Sequence, residues 1–174
     1  MSIPPDEPQS AVTPDEMRAW AAIFETSNIV QYAADRQLRA AVGLTLAQFE
    51  ILARIGEGAE GGRRMTDIAD DLTVSRSGLT YQVDQLERKG LVLRRPARDD
   101  ERSVVAQLTP EGAACLAAGS PGYVRLVREM LFDRISLADL LAVTDILDSV
   151  RTLLKSQPKR STLRRPRRQA GPRA

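Results

Sequence analysis

The sequence predicts a mainly α-helical domain carrying a small two- or three-stranded β-element. Three observations lead there. Apolar residues recur at helical spacing before residue 90 and again after residue 110. Between them, Leu91–Arg95 and Ser103–Leu108 change to the pattern of short strands. Thr, Ser, Pro and Gly stand where helices of 8–30 residues would start and stop.

Residues 1–12 are acidic, polar and Pro-rich without periodicity, and are expected to be disordered. Thr13-Pro14-Asp15-Glu16 is a capping box with proline at the first helical position. The helix it opens should run to about Arg39, with Trp20, Ile23, Phe24, Ile29, Val30 and Ala34 on its apolar face, and Gly43 breaks the pattern. Thr45-Leu46-Ala47-Gln48 is a second capping box, opening a short helix through Phe49, Leu52 and Ile55. Gly56–Gly62, with four glycines in seven residues, reads as a loop. After a brief strand at 63–65, Thr66 is expected to cap a helix from Asp67 to about Leu72. A turn at Thr73-Val74 leads to Ser75, the expected cap of a helix that reaches Lys89 and stops at Gly90. The two strands flank a charged tip, Pro96–Arg102. Thr109-Pro110-Glu111 opens a helix expected to reach Arg134, with a kink or break at Gly119-Ser120-Pro121-Gly122. Ser136 caps a last helix ending near Lys155, with Leu137, Leu140, Leu141, Ile146, Leu147, Val150 and Leu154 in its stripe. A basic tail, 156–174, is expected to be disordered.

Short helix, tight turn, longer helix and hairpin in that order make a winged helix-turn-helix. Such a helix fills a DNA major groove, while the hairpin beside it reaches a minor groove. At about 100° per residue, Leu79, Val83 and Leu86 fall together and face the core with Ile68 and Leu72. Ser77, Tyr81 and Arg88 cluster on the opposite side, flanked by Arg76 and Thr80. Hydroxyls, a phenol and guanidinium groups are suited to phosphates and base edges, though any amphipathic helix has a polar face. The wing carries Arg94, Arg95, Arg98 and Arg102 beside Asp99, Asp100 and Glu101. It reads either as a solvated loop of mutually neutralising charges or as an arm that puts Arg102, oriented by Asp100, into an A·T-rich minor groove.

Residues 65–112, MTDIADDLTVSRSGLTYQVDQLERKGLVLRRPARDDERSVVAQLTPEG, resemble the reading head of the MarR family of bacterial regulators, and LTLAQFEIL at 44–52 resembles its second helix. The likeness covers most of residues 14–155. It implies a winged helix-turn-helix at 45–109 and dimerisation helices at 13–42 and 110–155. It also implies a homodimer on a palindromic duplex operator, repressing nearby genes. Asp100 and Arg102 match the family's wing motif, Asp-x-Arg, and Ser75, Arg76, Ser77 and Thr80 match its recognition helix. Tyr81-Gln82 departs from the Arg-Leu of many relatives, so base preference cannot be borrowed from them. With Arg98 and Tyr81 these are the expected DNA-binding residues. The family's small aromatic or phenolic ligands bind between dimer arms and reading head. Trp20, Phe24, Phe49 and Tyr123 are the candidates here, with core packing as the competing role of each.

Charge adds a caution. The chain has 25 basic and 23 acidic residues, and eight of the basic ones lie from Lys155 onward. The remainder therefore holds 17 basic against 23 acidic residues, and the pI near 9.0 belongs to the tail. The tail either adds non-specific phosphate contacts or is a solvated extension. With no histidine, imidazole-based catalysis and imidazole zinc ligation are excluded. A single cysteine, Cys115, excludes an intrachain disulfide and reads as an inert packed thiol. Gly56–Gly62 lacks the lysine of a phosphate-binding loop. No catalytic residue, metal or cofactor is expected. No stretch approaches a membrane span and the start lacks the pattern of a secretory signal, so a cytoplasmic regulator is expected.

Overall fold

The computed structural model describes residues 12–59, 62–97, 100 and 103–156. Its elements are α1 (Pro14–Val42), α2 (Leu46–Gly56), β1 (Gly62–Arg64), α3 (Met65–Asp71), α4 (Arg76–Arg88), β2 (Val92–Pro96), β3 (Val104–Leu108), α5 (Pro110–Met130) and α6 (Leu137–Ser156). A 3-10 turn, Phe132–Arg134, precedes α6. Chain up to Met130 forms one compact unit, and chain from Leu131 forms a second.

Capping sets the frame of the first unit. In both capping boxes the Thr hydroxyl accepts from the backbone N–H three residues on, and that residue's side chain accepts from the cap's own N–H. Gly43 ends α1 with φ 68°, a left-handed conformation that glycine adopts without strain. The start of α2 has a second support from α1. Asp35 accepts the Leu46 N–H at 2.9 Å and the Arg39 Nε–H at 2.6 Å. The Arg39 bond, then the Leu46 bond, hold the Asp35 carboxyl below its ordinary range. Its folded value thus lies under its unfolded one, near 4. The stabilisation is complete above that value and fades as pH falls through the folded value. Asp35→Asn should accordingly melt below the wild type at neutral pH. The gap should narrow in thermal scans taken below about pH 4.

Two clusters of buried side chains make the core. Ile51, Leu52, Ile55, Ile68, Leu79, Val83, Leu86 and Val92 join α2, α3, α4 and the sheet. Ala34, Leu38, Leu46 and Phe49 join α1 to α2, with Tyr123 and Leu126 of α5 packed against them. The sheet is antiparallel in the order β1-β3-β2, with Arg63 and Arg94 both opposite Ala106. Ion pairs brace β1: Arg63 meets Asp71 at 2.6 Å and Glu57 at 3.5 Å.

Two expectations are corrected. Thr66 does not cap α3: the helix starts at Met65, and Thr66 turns its hydroxyl to Asp67 instead. Nor is there a break at residues 119–122; α5 runs through Pro121 to Met130. The glycines there serve close packing. A Cβ at Gly119 would lie 2.6 Å from the Phe49 ring, and one at Gly122 would lie 2.3 Å from Gln37 Nε2. That contact with α1 and α2 holds the helix together across a proline that lacks one hydrogen bond.

In the second unit Ser136 caps α6, accepting the Asp139 N–H at 3.2 Å. No residue of α6 is buried, and Leu137, Leu141, Ile146, Val150, Leu153 and Leu154 are exposed.

Candidate nucleic-acid interface

The turn between α3 and α4 is tight because Thr73 adopts φ 55°. A β-branched residue in the left-handed region is strained by roughly 1–2 kcal/mol. The Val74 N–H, bonded to the Ala69 carbonyl at 3.1 Å, closes that turn. Ser75 then caps α4, its hydroxyl accepting the Gly78 N–H at 3.1 Å and lying 3.3 Å from the Ser77 hydroxyl. Leu79, Val83 and Leu86 are buried, which turns the opposite face of α4 outward. Ser75, Arg76, Ser77, Thr80, Tyr81 and Arg88 are all exposed, Tyr81 by 62%. The Thr80 hydroxyl donates back to the Arg76 carbonyl at 2.8 Å.

Among the described residues, the side chains of Arg76, Arg88 and Arg95 have no ion-pair partner, so three cations are free on α4 and at the wing base. Arg94 differs. Its guanidinium meets Asp84 at 2.5 Å and Glu87 at 2.6 Å, and its backbone N–H donates to Glu87 at 2.8 Å. Expected among the charges of the wing, Arg94 is instead turned onto α4. Asp84 and Glu87, three apart on one helix, were the available signal.

The wing root is fixed as well. Arg64 donates to Ser103 at 3.0 Å, and Ser103 donates to Asp100 at 2.7 Å. Asp100 is therefore tied into the base of the tip. Arg98 and Arg102 lie outside the described residues, as do Asp99 and Glu101.

The four aromatic ligand candidates fall into two separate pairs. Trp20 and Phe24 stack along α1 with ring centres 5.5 Å apart, and both are exposed. Phe49 is buried and tilts against Tyr123 at 5.7 Å. Burial pushes the Tyr123 phenol up, and the Glu50 carboxylate adds to the shift. Cys115 is half-buried against the core, and desolvation raises its thiol. Among the described residues no cluster of His, Cys, Asp and Glu could hold a metal ion, and no helix is long and apolar enough to cross a membrane.

The arrangement of helices and wing recurs in solved proteins. AbsC from Streptomyces coelicolor, a MarR family transcriptional regulator, superposes with TM-score 0.81 at 28% identity, over 86% of this chain and all of that one. A second MarR family regulator from the same organism, solved in complex with DNA, gives TM-score 0.80 at 30% identity, over 86% of this chain and 96% of its own. The family model of MarR matches residues 44–104.

The chain belongs to the MarR family.

Curated relatives agree over a shorter span. The transcriptional regulator MhqR of Bacillus subtilis is 29% identical over 89 residues, 51% of this chain and 60% of that protein. PecS of Dickeya dadantii, also a transcriptional regulator, is 35% identical over 89 residues, 51% of this chain and 54% of its own. The chain thus spans a little over half the length of these two relatives. For this MarR family member the fold class read from the sequence, helices around a small β-wing, is the one observed. The named relatives are transcriptional regulators rather than enzymes.

Proposed function

We propose that the chain is a sequence-specific DNA-binding transcriptional regulator. It acts in the cytoplasm as a homodimer on a palindromic operator. It represses nearby genes until a small aromatic or phenolic ligand releases it. The observation that carries the DNA reading is the outward face of α4. Two serines, a threonine, a phenol and the unpaired Arg76 stand at the start of a helix whose opposite side is buried. The relative solved in complex with DNA supports it. The exposed apolar stripes of α1 and α6 support the dimer, because uncovered patches of this kind mark interfaces. Two copies would then present two reading helices about one DNA turn apart.

Selection from a random duplex library with the full chain, followed by gel-shift titration, tests this. An enriched palindrome bound at moderate salt is the expected result. No enrichment would instead favour a winged helix that serves only protein contacts. A regulator without small-molecule input is the second reading, favoured by the separation of the four aromatics into two pairs. A panel of phenolic compounds that leaves the gel shift unchanged would select it.

Two substitutions probe the reading surface. Arg102→Ala should weaken operator binding by about 1–3 kcal/mol, as loss of one groove contact does. Equal titrations of wild type and folded mutant would remove Arg102 from the interface. Tyr81→Phe should change the enriched sequence more than the affinity for the whole pool, because the phenolic O–H of this exposed residue can both donate to and accept from a base edge. Identical sequence logos would count against it.

A further inference from the structure

We infer that Arg94 is a positioning residue for DNA binding, which fastens the wing to α4 and halves the negative charge that two carboxylates of α4 would otherwise carry against the phosphates. This rests on the DNA-binding reading above. The recognition helix is an odd place for acids. Asp84 follows Thr80 by four residues and precedes Arg88 by four, so it lies within the outward strip that begins with Arg76 and Ser77. Glu87 lies one turn beyond Asp84, toward the wing. Two unpaired carboxylates there would face a polyanion, and like charges across an interface cost both affinity and association rate.

Arg94 lowers that cost with one side chain, leaving one net negative charge where there would be two. Its Nη2 meets Asp84 Oδ1 at 2.5 Å and Glu87 Oε2 at 2.6 Å, and its Nε donates to Glu87 Oε2 at 2.9 Å. Glu87 is held from a second direction, since its Oε1 accepts the backbone N–H of Arg94 at 2.8 Å. The same bonds join strand β2 directly to α4, so the angle between wing and recognition helix is set where the fork closes. The three side chains are each about one-third exposed (31%, 36% and 27%), close enough to solvent for a bound duplex to sense their net charge. The free Arg76, Arg88 and Arg95 then outweigh the single net negative charge that the cluster keeps.

The test uses the full chain and the duplex recovered by selection, titrated over a range of salt, with Tm recorded for every variant. Arg94→Ala should bind roughly tenfold more weakly, or worse, at low salt. The deficit should shrink as salt rises and screens the exposed carboxylates. Adding Asp84→Asn and Glu87→Gln to Arg94→Ala should recover most of the affinity without recovering Tm. A merely structural role would not give that split. Arg94→Lys keeps the charge and should retain most of the binding even where Arg94→Ala folds poorly. Wild-type affinity in Arg94→Ala, or a triple variant as weak as Arg94→Ala at every salt, would overturn the inference. If the wild-type chain selects no duplex at all, the DNA-binding reading fails first, and the two failures are told apart.

Discussion

Leu86→Ala is expected to lower the stability of the first unit by about 2–5 kcal/mol. Leu86 is fully buried and sits in one cluster with Leu52, Ile55, Leu79, Val83 and Val92. It lies where α2, α4 and the start of β2 meet, so the cavity would be walled by three elements that cannot all collapse into it. Its carbonyl also accepts the Leu91 N–H at 3.0 Å, which fixes the exit from α4. Urea titration followed by fluorescence or circular dichroism would measure the loss. Leu86→Met, nearly equal in volume, should cost less than about 1.5 kcal/mol. Equal stability of Leu86→Ala and wild type would mean that α4 is not held from beneath by this side chain.

Gly112→Ala is the second large effect, expected at about 1–3 kcal/mol and upward. A Cβ at this position would sit 2.0 Å from the Leu91 carbonyl oxygen, a backbone atom that cannot swing aside. That carbonyl is already engaged by the Thr109 N–H at 3.1 Å. Thr109 adds two more bonds: its hydroxyl donates to the Gly90 carbonyl at 2.7 Å and accepts the Gly112 N–H at 3.0 Å. The first turn of α5 is therefore pressed against the chain that enters the wing. To admit a methyl group, either α5 or β2 must move. Ala113→Ser, one residue on and exposed, is the control and should stay within about 0.5 kcal/mol. A Gly112→Ala protein that melts with the wild type would show that the junction is loose.

Much of this fold was legible because its boundaries are written locally. Thr13, Thr45, Ser75 and Ser136 satisfy helix N–H groups a few residues away, and Gly43 and Gly90 take the positive φ that ends a helix. The core face of α4 was legible for a similar reason, since 3.6-residue periodicity fixes which side of a helix is buried. What failed depended on distant partners. Gly119 and Gly122 look the same in sequence whether they interrupt a helix or let another pass close by; only Phe49 and Gln37, far back in the chain, decide between them. Thr66 had the chemistry of a cap, but pairing of β1 with β3 puts the start of α3 two residues earlier. Arg94 read as a wing charge because the hairpin's return onto α4 is a tertiary event, invisible to spacing along the strand. The outward set Ser75, Arg76, Ser77, Thr80 and Tyr81 is exposed as the helical wheel required.

The bond from the Thr80 hydroxyl to the Arg76 carbonyl limits what that residue can say to a base pair. With its only polar hydrogen spent inside the helix, Thr80 shows the outside a methyl group and two lone pairs. Such a surface can greet the amino hydrogens of adenine or cytosine, or nestle against the 5-methyl of thymine, but it has nothing to give guanine O6 or N7. On the proposed DNA-binding reading, the base that meets Thr80 is expected to be adenine, cytosine or thymine rather than guanine, which duplex selection would check.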